Sequence, residues 1–284
     1  MQLATIRRGD GTGIGVVLDE TVADIAAVAP ELPRDVGGLL AREDDGLSLV
    51  SSLVDGAPRV PLSSVELLAP VLRPPKFLAI GLNYAAHVAE SGMERPQHQV
   101  WFNKQSTCVV GQGAAIELPG ASTMVDYEGE LAFVIGRRCQ RVSHADAASV
   151  IAGFTIVNDV SARDWQFRAP TWTMGKSFDT HGPTGPWIVT PDQVGDPHRL
   201  RLRTWVNGEL RQDATTDDLI FDCYEMVEFL STACTLEPGD LISTGTPSGV
   251  GIAMQPPRLL QPGDVVRIEI EGIGVLENPV VAGR

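Results

Sequence analysis

Glu128 and Glu130 stand two residues apart where the segment Asp126-Tyr127-Glu128-Gly129-Glu130-Leu131-Ala132 enters an apolar run that continues to Ile135. That run reads as a buried strand, and residues two apart on a strand point to one face. Two carboxylates side by side repel unless a positive charge lies between them. A divalent cation meets that need. The alternative is a pair of solvated glutamates at an exposed strand end, since glutamate is rarely buried unpaired. A second apolar run, Ile151 to Val157, ends in Asn158-Asp159, and Asp159 offers a third carboxylate. Three hard oxygen ligands with room for water suit Mg²⁺ or Mn²⁺, with Ca²⁺ as a substitute. Zinc suits less well, because no Cys or His pattern lies near.

Other residues could work on what such an ion binds. His87 and Glu90 lie three apart in Gly81-Leu82-Asn83-Tyr84-Ala85-Ala86-His87-Val88-Ala89-Glu90-Ser91-Gly92. The alanines suit a helix, Asn83 its N-cap and Gly92 its C-cap, so the pair shares a helix face. A carboxylate beside an imidazole orients it and raises its basicity, as a general base requires. A surface His–Glu pair is the plainer reading. With the polar segment 92–101 the helix could act as a lid. Arg163 and Gln166 share a face if 161–166 is a helical turn. Arg163 then either grips a substrate carboxylate or pairs structurally with an Asp. Lys176, between aromatic and Gly/Pro segments, is a site cation or an ordinary surface residue. The loop Thr244-Gly245-Thr246-Pro247-Ser248-Gly249-Val250-Gly251 offers N–H groups that could hold an anion, but lacks the Gly-Lys-Ser/Thr of a nucleotide loop.

These residues need a scaffold of strands. The chain has 284 residues with Gly 29 and Pro 20, which favours a turn-rich, mainly β architecture with short helices, an α+β class. Residues 1–70 read as a small N-terminal domain, with strands around the turn at 9–13 and a less ordered stretch over 30–60. Residues 71–284 read as the catalytic domain. Asn207-Gly208 marks a hairpin, and Asp222 with Glu225 a capping box. A short helix with Ser143 as N-cap and Asp146 in capping-box position is expected over 144–151. The net charge of −14 disfavours nucleic acid and anionic membranes as partners. A carboxylate substrate therefore needs local positive charge at its site. Cys108, Cys139, Cys223 and Cys234 have no C-x-x-C spacing, which suggests free thiols and a cytoplasmic setting. No signal peptide or membrane span is expected.

Taken together, Gly81-Leu82-Asn83-Tyr84-Ala85-Ala86-His87, Asp126-Tyr127-Glu128-Gly129-Glu130-Leu131, Asn158-Asp159-Val160-Ser161-Ala162-Arg163-Asp164, Gly175-Lys176-Ser177-Phe178-Asp179 and Ser243-Thr244-Gly245-Thr246-Pro247-Ser248-Gly249-Val250-Gly251 resemble the fumarylacetoacetate hydrolase family, over about residues 74 to 281. The resemblance implies a mixed β-sandwich roll, usually a homodimer. It implies Glu128, Glu130 and Asp159 as ligands of Mg²⁺ or Mn²⁺ and Lys176 as a site lysine. It further implies His87 with Glu90 as a water-activating dyad, and Arg163, Gln166 and Thr246 as contacts to the oxygens of a small oxo acid. The implied activity is hydrolysis of a C–C bond in a β-diketo acid of acylpyruvate or fumarylpyruvate type, through an enolate held on the metal. Oxaloacetate decarboxylation and 2-hydroxyhepta-2,4-diene-1,7-dioate isomerisation are alternatives on the same site. A protein that only binds an oxo acid ranks below them. Leu82 departs from the pattern, standing where some acylpyruvate-cleaving and oxaloacetate-decarboxylating members have arginine.

Overall fold

The computed structural model describes residues 1–283. Strand exceeds helix, 36% against 24%, as the turn-rich composition predicts. Two sheets face each other. Seven strands of the larger, 12-stranded sheet follow in the order Gln2–Arg8, Gly182–Val189, Ile151–Asn158, Gly129–Ile135, Leu241–Ser243, Phe77–Gly81 and Val100–Lys104. Beyond Gln2–Arg8 the strands Gly11–Leu18, Thr21–Asp24 and Arg59–Pro61 continue the same sheet. The smaller sheet orders Glu209–Thr215, Arg201–Val206, Val265–Ile270, Gly274–Ala282 and Ile116–Leu118. The mixed sandwich expected from the resemblance is the fold found. Among the described residues no helix is long and apolar enough to cross a membrane.

Gly129–Ile135 is buried on both faces, and its alternation divides the core. Leu131, Phe133 and Ile135 enter the core shared with Leu202, Ile268 and Leu276 of the smaller sheet and with Met226 and Leu230 of the helix Cys223–Ala233. Ala132 and Val134 enter the core shared with Leu3, Ile14, Val36 and Leu39. Glu130 lies on the Ala132 side by the same two-residue period. Register then assembles the acidic end. Gly129–Ile135 runs antiparallel to Ile151–Asn158 with Gly129 opposite Asn158, so Asp159 follows directly beside Glu128, and its N–H donates to the Glu128 carbonyl at 2.8 Å. It also runs antiparallel to Leu241–Ser243 with Ala132 opposite Ser243, which carries Gly245 towards Glu130.

Some local expectations hold and others yield to longer-range partners. The Asp222–Glu225 capping box forms, as does the Asn207-Gly208 hairpin turn, with both residues at positive φ. The 30–60 stretch is more regular than expected, holding helices Val36–Leu40 and Gly46–Leu53 capped by Asp35 and Asp45. His144–Val150 is a 3-10 helix, and Ser143 donates its hydroxyl to Asp146 at 2.6 Å instead of capping a backbone N–H. Asn83 is not a cap either. Tyr84 holds the N-cap position of helix Ala85–Ser91. Asn83 Nδ2 instead donates to the Phe221 and Thr244 carbonyls, and its Oδ1 accepts from Phe221 N–H. Gly92 ends that helix at φ +67°, a left-handed C-cap that glycine adopts without strain.

Candidate active site

Glu128, Glu130 and Asp159 converge. Each is buried, and a carboxylate oxygen from each lies within 4.8 Å of the others. The solvated alternative is therefore excluded. Three cations share the surrounding shell. Lys176 Nζ donates to Glu128 Oε2 and Asp159 Oδ2, each at 2.7 Å. Lys104 Nζ donates to Asp159 Oδ1 at 2.6 Å. Arg163 meets Glu128 Oε1 at 2.7 Å and donates to Gln166 Oε1 at 3.0 Å. Lys176 is thus a buried site cation, not a surface residue.

The electrostatics separate the two glutamates. Burial raises the Glu128 carboxyl, but Arg163 and then Lys176 outweigh it and hold the group well below the usual carboxylate range. Glu130 is pushed well above that range by burial, then by Asp159 and Glu128. Its Oε2 accepts from the Ser243 hydroxyl and from Gly245 N–H, and no cation bonds it directly. With Asp126, four ionisable carboxylates face Lys104, Arg163 and Lys176. The donor set fits a hard divalent ion: oxygen ligands only, closely spaced, with one carboxylate left uncompensated. A bound dication would bring the cluster to a net positive charge, which an anionic oxo acid needs in a chain of net charge −14.

A cavity of about 350 Å³ opens over this cluster, a small-molecule size. His87, Glu90, Glu128, Glu130, Arg163, Gln166, Lys176 and Thr246 all line it. His87 Nδ1 lies 3.3 Å from Glu90 Oε2, so the shared helix face brings the pair together as expected. Burial raises Glu90, but the His87 contact and the Gly249 N–H leave it below its ordinary value. Asp159 belongs to the cluster but is not among the residues that line the cavity; it is held between the two lysines.

The Thr244–Gly251 loop does hold anions, but they are the protein's own. Gly245 N–H donates to Glu130, Gly249 N–H to Glu90, and Gly251 N–H with Ile252 N–H to Asp126. Asp126 Oδ2 also accepts from Arg163 Nε at 3.0 Å and Nη2 at 2.8 Å. The structural pairing of Arg163 is therefore present, and the guanidinium still borders the cavity. The Thr246 hydroxyl donates to Gly129 O and accepts from Gln212 Nε2 at 2.8 Å. Sequence reasoning assigns no site role to Lys104, Asp126 or Gln212. Asp126 opens the acidic motif itself and could be found there. Lys104 and Gln212 sit in strands with no local signal for burial.

Comparison with known proteins places this geometry among relatives. The family model described as fumarylacetoacetate (FAA) hydrolase C-terminal matches residues 76–281. Oxaloacetate tautomerase Fahd2a, mitochondrial, of Rattus norvegicus is 42% identical over 95% of this chain and 85% of that protein. The Homo sapiens oxaloacetate tautomerase FAHD2A, mitochondrial, is 40% identical over the same shares. A maleylpyruvate hydrolase from Sphingobium sp. SYK-6, solved with manganese (II) ion and pyruvate, aligns at TM-score 0.83 and 34% identity over all of both chains. A 5-carboxymethyl-2-hydroxymuconate delta-isomerase from Mycobacterium smegmatis aligns at TM-score 0.80 and 40% identity, also over all of both chains.

Proposed function

The chain belongs to the fumarylacetoacetate hydrolase family, an enzyme family acting on ketonic substrates, and from that premise we propose that it hydrolyses the C–C bond of an acylpyruvate-type β-diketo acid. The observation that carries this reading is that the His87–Glu90 pair lines the same cavity as Glu128 and Glu130. An acid–base pair held over a metal-ligand set is the arrangement that hydrolysis needs and simple chelation does not.

Glu128, Glu130 and Asp159 would hold Mg²⁺ or Mn²⁺, which when bound supplies Lewis-acid polarisation of the 2-oxo acid end. The remaining work falls to side chains. His87, held by Glu90, takes a proton from water. The water oxygen adds to the distal carbonyl, and the bond between that carbon and the methylene breaks. The bonding pair passes to the pyruvate fragment, which gains a proton at its methyl carbon. The acyl fragment leaves as a carboxylate. Lys176 borders the cavity with one N–H beyond the two given to Glu128 and Asp159, and would oppose developing negative charge. Arg163 and Gln166, tied to one another, would hold the substrate's oxygens.

Tautomerisation of a 2-oxo acid is the second reading, favoured by the oxaloacetate tautomerase names of relatives 40% or more identical. It uses the same acid–base pair without adding water. The test is a panel of acylpyruvates and oxaloacetate offered to the purified chain with Mg²⁺ or Mn²⁺, followed by mass spectrometry and ultraviolet absorbance. Two shorter acids per substrate support hydrolysis. Unchanged mass with faster loss of the enol band supports tautomerisation and overturns hydrolysis. Loss of CO₂ overturns both.

A further inference from the structure

The cavity is chemically divided. Of the residues that line it, Glu128, Glu130, Arg163 and Lys176 form a buried charged floor, whereas Leu82, Met93, Phe102, Phe167, Trp172 and Ile252 supply apolar walls, Met93 and Phe167 being largely exposed at its edge. The two cations that line it are each paired with carboxylates: Lys176 with Glu128 and Asp159, and Arg163 with Asp126 and Glu128. Among the residues that line it, none offers a positive charge free of a carboxylate partner. Glu90 also lines it, its carboxyl held below the ordinary value, against its burial, by His87 and the Gly249 N–H.

The walls are built by unusual backbone. Leu82 and Trp172 both adopt positive φ, 57° and 59°, a region that bulky residues seldom occupy and that clusters at ligand sites. Gly81 makes room for the indole. A Cβ at that position would come within 2.4 Å of the Trp172 ring, so glycine lets Trp172 lie over the strand end. Trp172 in turn meets Phe102 edge to face at 5.7 Å. Leu82, Phe102 and Trp172 thus form an apolar shelf beside the acidic floor.

We propose that this shelf selects substrates whose far end is an uncharged hydrocarbon, with Leu82 as the specificity-determining residue. The substrate class is acylpyruvates with alkyl or aryl acyl groups, in preference to those ending in a second carboxylate. This deepens the hydrolase reading and rests on it. A second carboxylate would lose its water shell against apolar walls, gain no free cation, and face Glu90. A hydrocarbon tail gains from the same burial. For the same reason oxaloacetate, a dicarboxylate, is also a poorer ligand than a 2-oxo acid with a neutral tail.

The experiment compares two acylpyruvates of equal length, one ending in a methyl group and one in a carboxylate, with the metal-loaded wild-type chain. The expected result is a kcat/KM about tenfold or more higher for the methyl-ended compound. Leu82→Arg is expected to shrink or invert that ratio. Equal turnover, or preference for the carboxylate-ended compound, overturns the proposal while leaving the hydrolase reading intact, as does an unchanged ratio in soluble Leu82→Arg. If neither compound is cleaved, the hydrolase reading fails instead. Calorimetric binding of the same pair then decides the tail preference by itself: tighter binding of the methyl-ended compound supports it, and equal or weaker binding overturns it. The wild-type ratio needs no variant, so it decides the matter even where Leu82→Arg misfolds.

Discussion

Both carboxylate oxygens of Glu90 accept the Gly249 amide N–H, at 2.9 and 3.1 Å. One of them, Oε2, also faces His87 Nδ1. Glu90 therefore joins the short helix Ala85–Ser91 to the loop that holds Glu130 and Asp126, while orienting the imidazole.

His87→Ala should lower kcat for hydrolysis by about 10²- to 10⁴-fold, the usual worth of a positioned general base, and leave metal binding unchanged. Glu90→Gln should lower kcat by less, because an amide oxygen can still accept from Gly249 while the charge behind His87 is gone. Steady-state kinetics beside a metal titration checks both. An unaltered kcat in His87→Ala removes the imidazole from the reaction.

Asp126 collects backbone N–H groups from Tyr127, Gly251 and Ile252 together with the Arg163 guanidinium, and is fully buried. Asp126→Asn keeps the shape but leaves Arg163 facing an amide. Breaking a buried pair from one side costs about 3–5 kcal/mol, and denaturant unfolding should show a loss of that order. Metal affinity should fall as well, because Arg163 also positions Glu128. A loss under about 1 kcal/mol would place this pair with weak surface bridges.

Glu130's contribution to the stability of the metal-free chain should fall as pH rises above about 4.5, the ordinary glutamate value, whereas buried His181, lowered to about 4 by desolvation, contributes in the opposite sense as it sheds its charge. Glu130 is raised in the folded state, so its proton stabilises the fold fully below that value and ceases to do so as pH climbs through the folded pKa. Glu128 is depressed, so its contribution is complete above its ordinary value and is lost only at lower pH. The two windows do not overlap. Thermal unfolding across pH, with and without Mn²⁺, checks this. Added Mn²⁺ should restore the stability lost at neutral pH, and a metal-free wild-type chain whose stability varies between pH 5 and 8 just as that of Glu130→Gln does would contradict it.

Much of this site could be read from periodicity. The two-residue spacing of Glu128 and Glu130, the strand ending at Asp159 and the three-residue spacing of His87 and Glu90 are short-range facts, and the structure keeps each of them. What escapes such reading depends on partners far along the chain. Lys104 sits among strand residues and gives no sign of being buried until Asp159 is placed beside it, since lysine is normally exposed. Asn83 has the side chain of an N-cap but finds better partners at Thr244 and Phe221. The glycine-rich loop announces free N–H groups, yet its anions are Glu90, Glu130 and Asp126, and only the tertiary fold brings those together.

The proposed chemistry requires Glu128, Glu130 and Asp159 to gather around one divalent ion, and calorimetric titration of Mn²⁺ into the wild-type chain and Glu130→Gln tests that most directly. A single site in the wild type, accompanied by proton release and weakened about tenfold or more by Glu130→Gln (1.4 kcal/mol per factor of ten), is the result predicted. Equal Mn²⁺ affinity in the two proteins, or no binding in either, would contradict it.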